Sequence, residues 1–368
     1  MLWQLTRRAL RLLAVLWAVS ALSFMLIELI PGDPVTNIYG DVATPEQIAH
    51  IRSQLGLDRP LADRYFTWLG GALTFDFGET LVPPITPISS IMLAALPVTL
   101  QLATMALLMG LLFGIPLGAI AAYYEGSLID RIISGVSFAI LSVPSFVLGL
   151  IISYLFVFNA NAMRLAFLAI GLTATAVPLA NRIRRRDANG WLSLLFPLIP
   201  AALGIALYFC MPAFPRQGWV TPRESLSLNL WHAFLPALTM SFGLIPLYAQ
   251  LLRSDMQATL RQNFIVMARA KGSTPYQIVV REALRPSLFS LITVAALSFG
   301  TLLAGSVVVE SIFNLPGLGR TVVRAINLSD YPVVQTGVLI AACVFVLLNM
   351  LVDVTYTLLD PRVRRAGR

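Results

Sequence analysis

Residues 267–288 read MARAKGSTPYQIVVREALRPSL. Nearly everything around them is apolar, yet this stretch carries Lys271, the only lysine in the chain, together with Arg269, Arg281 and Arg285 and a Gly-Ser-Thr-Pro break at 272–275. Apolar residues recur at three and four on both sides of the break: Met256, Leu260, Phe264 and Met267 before it, Tyr276, Val279, Val280, Ala283 and Leu284 after it. Thr274 is placed to cap a helix with Pro275 at its first position. The pattern predicts two amphipathic helices joined by a sharp turn within a loop over 253–286, more than a simple connector needs. Pattern alone leaves two readings open. The elbow enters a partner's groove through its small tip residues Ala268, Ala270 and Gly272, with Arg269 and Lys271 meeting acidic groups, or it lies on anionic lipid as a surface helix.

The surroundings of this polar island set the fold class. Of 368 residues, 57% are hydrophobic and 12% charged, about half the charge a soluble domain carries, and the mean hydropathy is +0.79. Eight apolar runs are candidate spans: about 9–30, 96–121, 133–158, 163–181, 191–211, 234–252, 287–310 and 333–358. Crossing lipid takes roughly 20 residues as a helix, and a helix satisfies every backbone group internally. The expectation is an all-α polytopic membrane bundle. The N-terminal basic head and apolar run read as a retained first span, since no small-residue cleavage site precedes Pro31.

The net charge of +8 could signal nucleic acid, but the arginines sit at the ends of apolar runs and so speak to membrane orientation. With the N-terminus inside, Arg7, Arg8, Arg11, Arg131, Arg182, Arg184, Arg185, Arg186, Arg253, Arg261, Arg269, Lys271, Arg281, Arg285, Arg362, Arg364, Arg365 and Arg368 all fall on the cytoplasmic face, 18 of 26 basic residues. An even span count brings the C-terminus inside as well. Segments 31–95, 212–233 and 312–332 are then external, and the last, with Leu318, Val322, Ala325 and Ile326, suits a short helix at the membrane surface. Proline and glycine recur within spans, among them Pro97, Gly114, Pro116, Gly118, Pro144 and Pro236. They serve close helix packing or bends that line a pathway. Cys210, Cys343, His50 and His232 stand apart from one another at no metal-ligand spacing, so no metal or cofactor is expected in this chain.

ARAKG at 268–272 followed by REALRPSL at 281–288 resembles the coupling loop of ABC importer permeases, in the form carried by the dipeptide, oligopeptide and nickel subfamily. The wider superfamily's Glu-Ala-Ala start is absent: Val266, Met267 and Ala268 stand there, so only Ala268 and Gly272 fit. Other blocks resemble the subfamily in order: PGDP at 31–34, LGLDRPLADRYFTWL at 55–69, DFGET at 76–80, LPVTLQLA at 96–103, IPLG at 115–118, LSVPSFVLG at 141–149, VVVESIFNLPGLGR at 307–320, DYPVVQ at 330–335 and LLDPRVR at 358–364. Residues 159–211, with two extra candidate spans, have no counterpart in the usual six-span pattern. The expected organisation is therefore 1–95 as first span and external segment, 96–158 as spans two and three, 159–211 as an inserted two-span hairpin, and 212–368 as the remaining core spans with the coupling loop.

The resemblance implies a permease subunit of an ATP-driven importer in a bacterial inner membrane. It implies a second related permease, two ATPase subunits that bind ATP and magnesium, and an extracytoplasmic binding protein delivering di- or oligopeptides or a related solute. The residues agree on the energy source. A phosphate-binding loop needs Gly-Lys-Ser/Thr, and Lys271 lies between Ala270 and Gly272. The ATPase-coupling residues carried over are Phe264, Met267, Ala268, Arg269, Ala270, Lys271, Gly272, Tyr276 and Arg281. Candidates for pathway or partner contacts are Pro144, Phe146, Glu310 and Asp353. Glu28 and Glu310 are also close enough to span ends to snorkel to the interface, whereas Asp353 lies deeper. The alternative is a self-sufficient secondary transporter, which calls for internal repeats and ion-coupling groups at the midplane.

Overall fold

The computed structural model describes residues 2–28, 35–36, 44–54, 58–185, 199–210, 214–215 and 217–359. The described chain is helical: α1 Leu2–Glu28, α2 Pro45–Gln54, α3 Leu61–Leu73, α4 Ile88–Tyr123, α5 Leu128–Leu141, α6 Ser145–Ser153 continuing into a π-turn at Tyr154–Phe158, α7 Ala160–Arg185, α8 Ile199–Cys210 and α9 Leu226–Leu260. Then come α10 Asn263–Ala270, α11 Pro275–Ile312, α12 Leu318–Asn327 and α13 Tyr331–Leu359. Among the described residues the only extended pairing is an isolated bridge, Glu79 with Pro87.

Among the described residues, four helices are long and apolar enough to cross a membrane: Ile88–Tyr123, Leu226–Leu260, Pro275–Ile312 and Tyr331–Leu348. They overrun the spans expected at 96–121, 234–252 and 287–310. The run expected as one span over 133–158 is interrupted at Ser142–Pro144, consistent with the disfavoured helical conformation of a residue before proline, and it passes the length test only as the pair Leu128–Leu141 and Phe146–Phe158. In α1 and α7 the apolar stretches are shorter, Leu12–Met25 and Ala160–Ala176. The run at 191–211 is described only from Ile199.

Two compact units form, Met1–Ser145 with Pro236–Arg368, and Phe146–Leu235. In the first, α9 is the most enclosed span, with 61% of its apolar window buried against 33% for α4 and for α11. Gly110, Gly114 and Gly118 recur every four residues along α4 and let α9 nest against its backbone. A Cβ at Gly114 would lie 2.9 Å from Tyr248 Cβ, and one at Gly118 would lie 2.6 Å from the Ala249 carbonyl. Packing is thus the use this structure makes of those glycines. At the Ile88 end of α4, a cluster of Phe77, Ile88, Met92, Leu318, Ala325, Val333, Val334 and Leu339 joins the loop before α4 to α12 and α13. In the second unit α7 and α8 cross at Gly171 and Gly204, where a Cβ on Gly171 would meet Gly204 Cα at 3.0 Å. Phe214 there stacks on Trp231 at 4.2 Å between ring centres.

Candidate functional site

The polar stretch folds as an elbow, differently from the expected pair of helices. Met256 and Leu260 belong to α9, and Met256 is fully buried. The chain breaks at Arg261–Gln262, so the phase of the first stripe is lost: Ile265 is fully buried, while Phe264 and Met267 are exposed. The second helix is the start of α11 itself. A π-turn at Ile278–Ala283 re-phases it, turning Ile278 and Ala283 inward and leaving Tyr276, Val280 and Arg281 exposed. Between two long helices hangs one short one, α10, packed on that π-turn.

Its turn is fixed by backbone chemistry. Gly272 has φ +82°, a left-handed conformation open to glycine. The Gly272 N–H donates to the Arg269 carbonyl at 3.0 Å and the Ser273 N–H to the Ala268 carbonyl at 3.1 Å, the paired bonds that terminate a helix at a left-handed residue. Thr274 then begins α11 with a reciprocal cap. Its Oγ1 accepts from the Gln277 N–H at 3.3 Å, and the Gln277 Oε1 accepts from the Thr274 N–H at 2.9 Å. The two helix ends are satisfied with only Ser273 between Gly272 and the cap. Ala270, Lys271 and Gly272 are exposed at the tip, Arg269 beside them; Ala268 is half-buried. Phe264, Met267 and Tyr276, at 41, 60 and 74% exposure, give the same surface an apolar share. The elbow is rigid in its backbone and bare in its side chains.

The root of the elbow is anchored. Arg253, near the end of α9, makes a bidentate pair with Asp130 of α5, Nε to Oδ1 at 2.5 Å and a terminal nitrogen to Oδ2 at 2.9 Å. Arg261 reaches Glu125 at 2.6 Å. On α11, the Ser290 hydroxyl donates to Asp255, and Ser287 and Thr259 hydroxyls lie 3.1 Å apart.

Glu310 sits at the far end of α11 and does not snorkel: it is fully buried. Its Oε1 accepts from the Thr99 hydroxyl at 2.6 Å and its Oε2 from the Arg320 N–H at 2.9 Å, while Thr99 Oγ1 accepts from the Leu318 N–H at 2.8 Å. A carboxylate at the first turn of α12 satisfies donors a helix leaves open and complements its dipole. Pro144 and Phe146 lie at the break after α5, both exposed. Asp353 falls within α13, and its side chain lies outside the described residues. The structure therefore gathers the nine residues expected to couple on one elbow and its root, while Glu310 lies at the other end of α11. In sequence Thr99 and Asp130 carry no assigned role and Arg253 counts only as a cytoplasmic charge, although Ser127, which caps α5 by accepting from the Asp130 N–H, marks Asp130 as a first-turn acid.

Residues 114–365 match the family described as binding-protein-dependent transport system inner membrane component, and residues 1–83 match the family of the N-terminal region of that membrane component. The chain belongs to this family: it is a multi-pass inner membrane permease subunit of an ABC importer, and membership implies ATPase and substrate-binding protein partners. It is 36% identical over 367 residues to the di/tripeptide transport system permease protein DppB of Pseudomonas aeruginosa, covering 99% of each chain. It is 32% identical to the dipeptide transport system permease protein DppB of Escherichia coli K12, covering 94% of each. To the probable peptide ABC transporter permease protein y4tP of Sinorhizobium fredii it is 30% identical, over 97% of this chain and 98% of that one.

Proposed function

We propose that this chain forms half of a translocation pathway for di- or oligopeptides or a related small solute, with a second related permease supplying the other half. Two separate ATPase subunits bind and hydrolyse ATP, and an extracytoplasmic binding protein delivers the solute. The peptide class is supported by what the three relatives are named for. The observation that carries the mechanism is the elbow: a backbone locked by Gly272 and the Thr274 cap, presenting Phe264, Met267 and Tyr276 with Arg269, Lys271 and Arg281. A rigid projection transmits a push, and a bare apolar and basic surface receives a partner. Closure of the ATPases would move the elbow and switch the side from which the pathway is open.

The arginine distribution supports placing both termini and the elbow in the cytoplasm, with eight crossings, six in the core and two in the hairpin over 159–211. The compactness of Phe146–Leu235 supports that hairpin's separateness. The test is affinity purification of this chain from its native membrane, beside Gly272→Asp and Lys271→Glu. The expected result is recovery of a second permease and of ATPases with the parent chain, and loss of the ATPases alone in both variants. Recovery of the parent as a folded, solitary chain would favour a self-sufficient transporter.

A further inference from the structure

We propose that Asp130 and Arg253 are positioning residues that carry displacement of the elbow into α4 and α5. This rests on the reading that the elbow docks an ATPase. The elbow can move the bundle only if its root does not slip. Apolar side chains slide over one another at little cost, whereas a guanidinium fork on a carboxylate fixes both distance and direction. Here both nitrogen–oxygen contacts are made, at 2.5 and 2.9 Å. The Asp130 side chain is 5% exposed. It is itself held by the Gly126 N–H at 3.0 Å, with the Ser134 hydroxyl at 3.4 Å, so the carboxylate is fixed to the α4–α5 turn before Arg253 reaches it.

The neighbouring pair, Arg261 with Glu125, is exposed at 73 and 43% and resembles surface pairs that contribute little. Asp255 with Ser290 and Thr259 with Ser287 tie the same end of α9 to α11. The last turns of α9 are thus held on one side by the α4–α5 turn and on the other by α11, with the elbow between. Net stability is a poor reason to keep a buried ion pair, because desolvation offsets much of the attraction. Transmission is a better one.

The full complex is purified with Asp130→Asn, with Arg253→Gln, with both together, and with the charges exchanged as Asp130→Arg/Arg253→Asp. ATP hydrolysis is measured with and without the purified substrate-binding protein. A joint that carries displacement from the elbow into the bundle also lies between a binding protein outside and the ATPases inside, so stimulation of hydrolysis by the binding protein reads whether the joint holds. In each single variant the ATPases are expected to stay bound and to hydrolyse ATP, while stimulation by the binding protein falls at least tenfold. Exchanging the charges is expected to restore part of it. The double neutral variant leaves no orphaned charge, and so reads the coupling even if a single change misfolds. Stimulation retained at the parent level in the folded variants would overturn the proposal, as would loss of the ATPases from them. Failure of the parent chain to hold ATPases would instead overturn the docking reading beneath it.

Discussion

The two ends of α11 contrast. At Glu310 both carboxylate oxygens and the Thr99 hydroxyl are hydrogen-bonded within the chain, and Thr99, Glu310 and Leu318 are buried where α4, α11 and α12 meet. At the elbow the backbone is equally satisfied, but the side chains of Met267, Lys271 and Tyr276 are left open. Two glycines express the difference. A Cβ at Gly317 would collide with the Glu310 carboxylate, whereas one at Gly272 would meet nothing within 4 Å and is disfavoured only by its φ of +82°. One end holds itself together, and the other leaves its side chains open, as the proposed docking of a partner requires.

The sharpest attempt to break this comparison is Gly317→Ala. Its methyl must push a buried carboxylate off its donors, so overpacking, about 1–3 kcal/mol in ordinary cores, is joined by loss of hydrogen bonds to a charged group at about 1.5–3 kcal/mol each. The expected outcome is a severe drop in folded yield and in the melting temperature of detergent-purified protein, with no change in partner preference among the molecules that do fold. Gly272→Ala is the counterpart. A left-handed alanine costs about 1–2 kcal/mol, relieved when the turn shifts. The bundle is expected to keep nearly its parent melting temperature while ATPase recovery falls severalfold. If the two variants behaved alike, the ends would not differ in kind.

The contrast also explains what the sequence made legible. Composition and apolar runs announced the membrane bundle, because lipid permits so few backbone arrangements. The turn at 272–275 could be read residue by residue, since Gly272, Thr274, Pro275 and Gln277 act within a few positions of one another. The stripes around it could not. A helix break at Arg261–Gln262 and a π-turn at Ile278–Ala283 shift the phase without leaving a composition signal, so Phe264 and Met267 face solvent where continuity with Met256 predicted a shared face. Glu310 was misread for a different reason. Its partner Thr99 is 211 residues away, and a carboxylate near a span end looks the same in sequence whether it snorkels or caps a distant helix. Asp130 and Arg253, 123 residues apart, were hidden in the same way.

The smallest expected effect concerns Asp330, at the Glu310 end, just before α13 begins. It is buried, and its Oδ1 accepts from the Leu81 N–H at 3.3 Å, which docks the loop before α4 onto the chain that enters α13. Burial pushes its carboxyl above the usual carboxylate range, against the opposing pull of the backbone N–H groups of Leu81, Val82 and Val333. For an acid whose folded value is raised, the favourable contribution is complete below the unfolded value of about 3.9, and it fades as pH rises through the folded one. Asp330→Asn keeps a carbonyl for Leu81 and removes the charge. In acid the two proteins should melt together. Through the window above the ordinary aspartate value the parent should fall slightly below the variant, and the gap should stop growing once the carboxyl is fully ionised. A parent that instead gained stability over the variant as pH rose would mean that the Leu81, Val82 and Val333 donors outweigh burial, and that this end, too, is held by charge.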